Sequence, residues 1–168
     1  AHVEKCIHKA KLEDGDSPLH HNLDTYAPKK VVSAGLCEII ETFPDGRLAV
    51  AVAMDRRFVL KSCQQMIPFM IYECDEIRDE SGDSEERLAA SRQQVLQGLQ
   101  RILVSAQVPN GDELYARFAS LSNALLSFKI FSLIEFDADF MQAVLISQSP
   151  LERLQMIENE LRLADVVQ

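Results

Sequence analysis

Residues 35–60, GLCEIIETFPDGRLAVAVAMDRRFVL, constrain the fold of this chain more than any other stretch. Pro44 presets φ for the first corner of a turn, and Asp45-Gly46 supplies positions where positive φ costs little. Runs rich in Val, Ile, Leu and Ala flank that turn on both sides. The pattern predicts two antiparallel strands joined at Pro44-Asp45-Gly46, with a third strand opening at Arg56-Arg57-Phe58.

The strand signal extends over about residues 30–77. Val31 to Thr42, Arg47 to Met54, Arg57 to Cys63 and Met66 to Ile77 read as strands. Pro68 cannot donate a ladder hydrogen bond, so the last of these is an edge strand or starts beyond the proline. Before Lys30 no amphipathic period emerges. Val3 to Ile7 reads as a helix end, Lys9 to Glu13 as a short strand, and Asp14 to Pro18 as a loop.

After the acidic stretch from Asp75 to Glu86 the period becomes helical. Asp83 with Glu86 fits a capping box for a first helix carrying Leu88, Val95, Leu99, Ile102 and Val104 to Ala106 at helical spacing. Asn110 opens a second helix with Leu114, Phe118, Leu121, Leu125 and Phe128 on one side. Asp137 caps a third. Ser149-Pro150-Leu151-Glu152 places an N-cap, a proline at N1 and an acid at N3, ahead of a stripe of Leu151, Leu154, Ile157, Leu161 and Leu163. Strands first and helices second argue for an α+β protein, with a β-rich lobe at 1–80 and a helical lobe at 81–168.

The 168 residues carry a formal net charge of -9. Phosphate binding needs clustered Lys and Arg, and the 17 basic residues are scattered, so nucleic acid and anionic membrane surfaces are not expected partners. Cys6, Cys37, Cys63 and Cys74 form no Cys-x-x-Cys pair. That usage reads as reduced thiols of a cytoplasmic protein, with Cys37, Cys63 and Cys74 in the core. No apolar run approaches the roughly 18 residues of a membrane span, and no basic-then-apolar leader is visible.

The hairpin resembles the signature ribbon of the Lon protease N-terminal domain family. There a strand starting at Gly reaches a Pro-Asp-Gly turn and returns into Gly-x-Arg-Arg-Phe; here Met54-Asp55 stands where that family usually has Glu-Gly. Phe136-Asp137-Ala138-Asp139-Phe140 followed by Pro150-Leu151-Glu152-Arg153-Leu154 is similar to the close of the family's helical lobe. The likeness covers roughly residues 31–163. The family's Phe-Pro-Gly segment and Ile-Phe-Glu-x-Arg-Tyr helix start do not occur. The resemblance implies a PUA-like pseudo-barrel before the helical lobe. It implies a non-catalytic domain that recognises substrates of an ATP-dependent protease, with unfolded or client polypeptides as partners, and self-association.

Residue chemistry points the same way. There is no Gly-x-x-x-x-Gly-Lys-Ser/Thr loop for a nucleotide and no Gly-x-Ser-x-Gly elbow for a hydrolase, so no catalytic or cofactor-binding residue is assigned. His2, Cys6, His8, His20 and His21 match no zinc-finger spacing, and the acidic run at 75–86 lacks a calcium-loop rhythm, so no metal ligand is assigned. The methionines at 54, 66, 70, 141 and 156 read mostly as core. Arg56-Arg57 reads as a structural pair beside a turn. The expected protein-binding surface is Met66, Ile67, Pro68, Phe69, Met70 and Tyr72, where an apolar sheet edge can take an extended peptide. The alternative is a small hydrolase with a cryptic Ser or Cys-His site, which has to draw its histidine from before residue 22.

Overall fold

The computed structural model describes residues 3–9, 24–66 and 69–166. The chain divides into two compact units, Ala1–Ile77 and Arg78–Gln168.

In the first unit β1 (Val3–Lys9) and β2 (Asp24–Pro28) form an antiparallel pair, with Val3 opposite Pro28 and Lys9 opposite Asp24. The segment Val3 to Ile7, read from sequence as a helix end, is therefore strand. Val3, Cys6 and Ile7 favour extended backbone, and 24–28 supplies the partner that local propensity does not reveal. The loop expected at 14–18, most of the strand expected at 9–13, and His2, His20 and His21 lie outside the described residues.

A second sheet has the order β3-β4-β5, from β3 (Val31–Thr42), β4 (Leu48–Gln65) and β5 (Ile71–Ile77), both pairings antiparallel. The turn between β3 and β4 follows the residues that predict it. Phe43 N–H donates to the Arg47 carbonyl at 2.8 Å, Gly46 N–H to the Phe43 carbonyl at 3.0 Å, and Gly46 takes φ 85°. Arg47 Nε donates to Asp45 at 2.7 Å, and its guanidinium lies 5.4 Å from the Phe43 ring.

The two strands expected at 47–54 and 57–63 are one strand of 18 residues. No break falls at Asp55 because the chain absorbs it as a bulge. Ala34 pairs with Arg56 and Gly35 with Met54, so Asp55 is the extra residue. Gly35 is required there: a Cβ would overlap the Ala53 carbonyl oxygen. Beyond Pro68 the last strand begins at Ile71. The described strands form open sheets, two-stranded and three-stranded, and not the closed barrel that a pseudo-barrel would approach.

The second unit is helical, with α1 (Glu85–Ser105), α2 (Gly111–Ala119), α3 (Asn123–Lys129), a 3-10 turn at Ile130–Ser132, α4 (Ala138–Ile146) and α5 (Pro150–Val166). Val95, Leu99 and Leu103 of α1 pack with Phe118, Leu126, Ile130, Leu154, Ile157 and Leu161 in its core. Val104 and Leu163, expected among the periodic apolar residues of α1 and α5, are exposed. The single helix expected from Asn110 through Phe128 is two. Ser122 starts α3 by accepting from Leu125 N–H at 3.3 Å, and Arg92 Nη2 donates to the freed Ala119 carbonyl at 2.5 Å. Asp137 caps α4 through Asp139 and Phe140 N–H.

Asp83 serves a different helix from the one expected. The N-cap position of α1 is Ser84, without a side-chain cap. Asp83 instead accepts from Ser149 Oγ at 2.8 Å and from Leu151 N–H at 2.9 Å, at the start of α5. Ser149 Oγ accepts from Glu152 N–H at 3.0 Å. Residues 78–83 are thus fastened to the helices. Glu80 N–H also donates to the Gln148 carbonyl, and Gln148 Nε2 to the Arg78 carbonyl.

Candidate protein-docking surface

The β3–β4 ribbon carries an unusual load of uncovered apolar side chains. Leu36, Ile39, Ile40, Leu48, Val50, Val52 and Met54 are between 38% and 79% exposed. Residues directly opposite in an antiparallel pair share a face. One face therefore holds Gly35 with Met54, Cys37 with Val52, Ile39 with Val50, and Thr42 with Leu48. Toward the base of the ribbon the same face becomes covered, at Ser33 with Arg57 and at Val31 with Val59; Val31 and Arg57 are each 8% exposed. The opposite face pairs Leu36 with Ala53, Glu38 with Ala51, and Glu41 with Ala49. A bulge between Ile39 and Glu41 adds Ile40 to the β3 side.

The sequence-predicted surface lies between β4 and β5. Met66 and Phe69 are exposed, Met70 and Tyr72 half-buried; Ile67 and Pro68 lie outside the described residues. Gln65 Nε2 donates to the Phe69 carbonyl at 3.1 Å, and Tyr72 O–H to Met70 Sδ at 3.7 Å. Tyr72 sits across from Cys63 in the β4–β5 register. Its pKa is raised, first by burial, then by the charge of Cys63 and a hydrogen bond to it.

Several assignments are corrected. Cys37, Cys63 and Cys74 are exposed, not core thiols, because nothing described covers the outer parts of the sheet. None of the five methionines is buried; Met54 and Met66 are exposed, and Met70, Met141 and Met156 are half-buried. The arginine pair splits. Arg56 is exposed, 3.4 Å from Asp55 and with its guanidinium 5.7 Å from the Phe58 ring, whereas Arg57 is buried.

The exposure of the ribbon has a trace in the sequence. Leu48-Ala49-Val50-Ala51-Val52-Ala53 alternates large with small and has no polar residue, so neither face is marked for water. Among the described residues no group of three His, Cys, Asp or Glu side chains is placed to hold a metal ion. Two open depressions of about 200 and 360 Å³ lie along α1 and α2 and share Gln100 and Tyr115. No described helix is long and apolar enough to cross a membrane.

No protein-family model matches the sequence, and no curated protein matches it.

Proposed function

We propose that this chain is a non-catalytic recognition domain that docks unfolded or client polypeptides, in the manner of the Lon N-terminal domains its hairpin resembles, with a PUA-like β-rich unit as the docking element. The observation that carries the reading is the ribbon. Seven large apolar side chains stand in water on two adjacent strands. Five of them, Ile39, Leu48, Val50, Val52 and Met54, share one face, and a contiguous apolar patch of this kind marks an interaction surface. The exposed Met66 and Phe69 add a second apolar stretch beside β5.

Hydrogen exchange with and without reduced, carboxamidomethylated lysozyme, a permanently unfolded client of net positive charge, tests the proposal. The reading predicts slowed exchange over 35–54, with a smaller effect over 66–72. Unchanged exchange at both, at saturating client, contradicts it.

A further inference from the structure

We infer that the outer edge of β3 accepts an extended client segment as an added strand, and that the segment alternates apolar with basic residues. This rests on the docking reading and narrows its substrate class.

Three observations support the edge. Among the described residues no strand pairs with the outer side of β3, and β4 occupies the other side. At 12 residues β3 is long for a strand. It also contains no proline or lysine, two residues that blunt free edges.

Charge identifies the occupant. The charged residues of β3 are Glu38 and Glu41, both acidic and exposed. Across the ribbon they face Ala51 and Ala49, which offer no counter-charge. Neither carboxylate makes an ion pair among the described residues. The other edge strand, β5, is different. Asp75 is paired with Lys61 at 2.5 Å, and Glu73 accepts from Ser62 Oγ at 2.9 Å. The uncommitted carboxylates are therefore on β3.

An added strand would place alternate residues on the two faces of the ribbon. Those beside Cys37 and Ile39 meet an apolar face, and those beside Glu38 and Glu41 meet negative charge. Opposite charges on neighbouring strands stabilise pairing, and like charges oppose it. The chain's net charge of -9 steers the same class of partner.

The test uses labelled peptides of roughly ten residues, alternating Val with Lys, Val with Thr, or Val with Glu. Binding to the full chain is read by fluorescence anisotropy at low ionic strength. The Lys peptide is expected to bind about tenfold or more tighter than the Glu peptide, with Thr between. In the Glu38→Lys/Glu41→Lys variant the order inverts. N-methylation of alternate backbone amides in the Lys peptide, which blocks one hydrogen-bonding edge, abolishes binding. Equal affinities for all three peptides overturn the basic preference and leave the docking reading intact. Undiminished binding of the N-methylated peptide overturns the added strand. If no peptide binds while the unfolded client still protects 35–54, the inference fails alone; if the client also gives no protection, the docking reading fails with it.

Discussion

Arg153 and Asp79 form a two-pronged ion pair, Nη1 to Oδ1 and Nη2 to Oδ2, both at 2.7 Å, in which the arginine side chain is wholly buried. Every edge of the guanidinium is occupied. Nε donates to Ser127 Oγ at 2.9 Å, Nη1 also to the Ser147 carbonyl at 3.0 Å, and the Phe128 ring centroid lies 4.4 Å away. The pair fastens the segment entering the helical unit to α5. Removing one partner of a buried pair leaves an uncompensated charge. Asp79→Ala is expected to cost about 2–4 kcal/mol in urea unfolding, held below the fully buried range because Asp79 remains partly exposed. Asp79→Ala/Arg153→Met recovers part of that loss.

Asp83 and Ser149 form one cap. Asp83→Ala should lower stability by about 0.5–2 kcal/mol. A double-mutant cycle should show coupling to Ser149→Ala and none to Glu86→Ala, because Asp83 bonds to the start of α5 and not to α1. Coupling to Glu86 instead would restore the capping box that the sequence suggests.

Gly35 and Gly46 should respond differently to alanine. At Gly46 the cost is backbone strain alone, about 1 kcal/mol, since φ is positive and nothing crowds the site. At Gly35 a Cβ meets the Ala53 backbone, which cannot yield without opening the ladder. Gly35→Ala is expected to be the more destabilising in parallel thermal melts.

Tyr72 should ionise above the ordinary tyrosine value of about 10. The neutral phenol is favoured in the folded state, so its contribution is complete below the unfolded pKa and is lost as pH rises through the folded one. Cys63→Ser removes the charge and the thiol hydrogen bond but not the burial. NMR titration of the ring should then show a partial fall toward the ordinary value. An unchanged midpoint excludes Cys63 as a cause.

The elements were legible where local chemistry decides them. Val31–Thr42, the Pro44-Asp45-Gly46 turn and the Ser149-Pro150 start of α5 follow from side chains acting on their own backbone. The α+β order, strands then helices, was legible for the same reason. What was not legible depends on distant partners. Val3–Lys9 becomes strand through 24–28, and Asp83 caps a helix that begins 67 residues later at Pro150. Residue-type tendency points the cysteines to the core, yet their strands extend past the covered base of the sheet. The exposure of the apolar ribbon is illegible for the converse reason. Its residues look like core, and only the fold shows them in water.

The most direct measurement is the affinity of an Ile39→Thr/Val50→Thr/Val52→Thr variant, which keeps β-branched residues in the strands, for reduced, carboxamidomethylated lysozyme, taken beside its urea midpoint. These side chains share one uncovered face of the ribbon, so their loss should barely move the midpoint. The account predicts at least about a tenfold weaker complex, as expected when several apolar contacts are lost from one patch. Wild-type affinity in a variant that folds normally would contradict it.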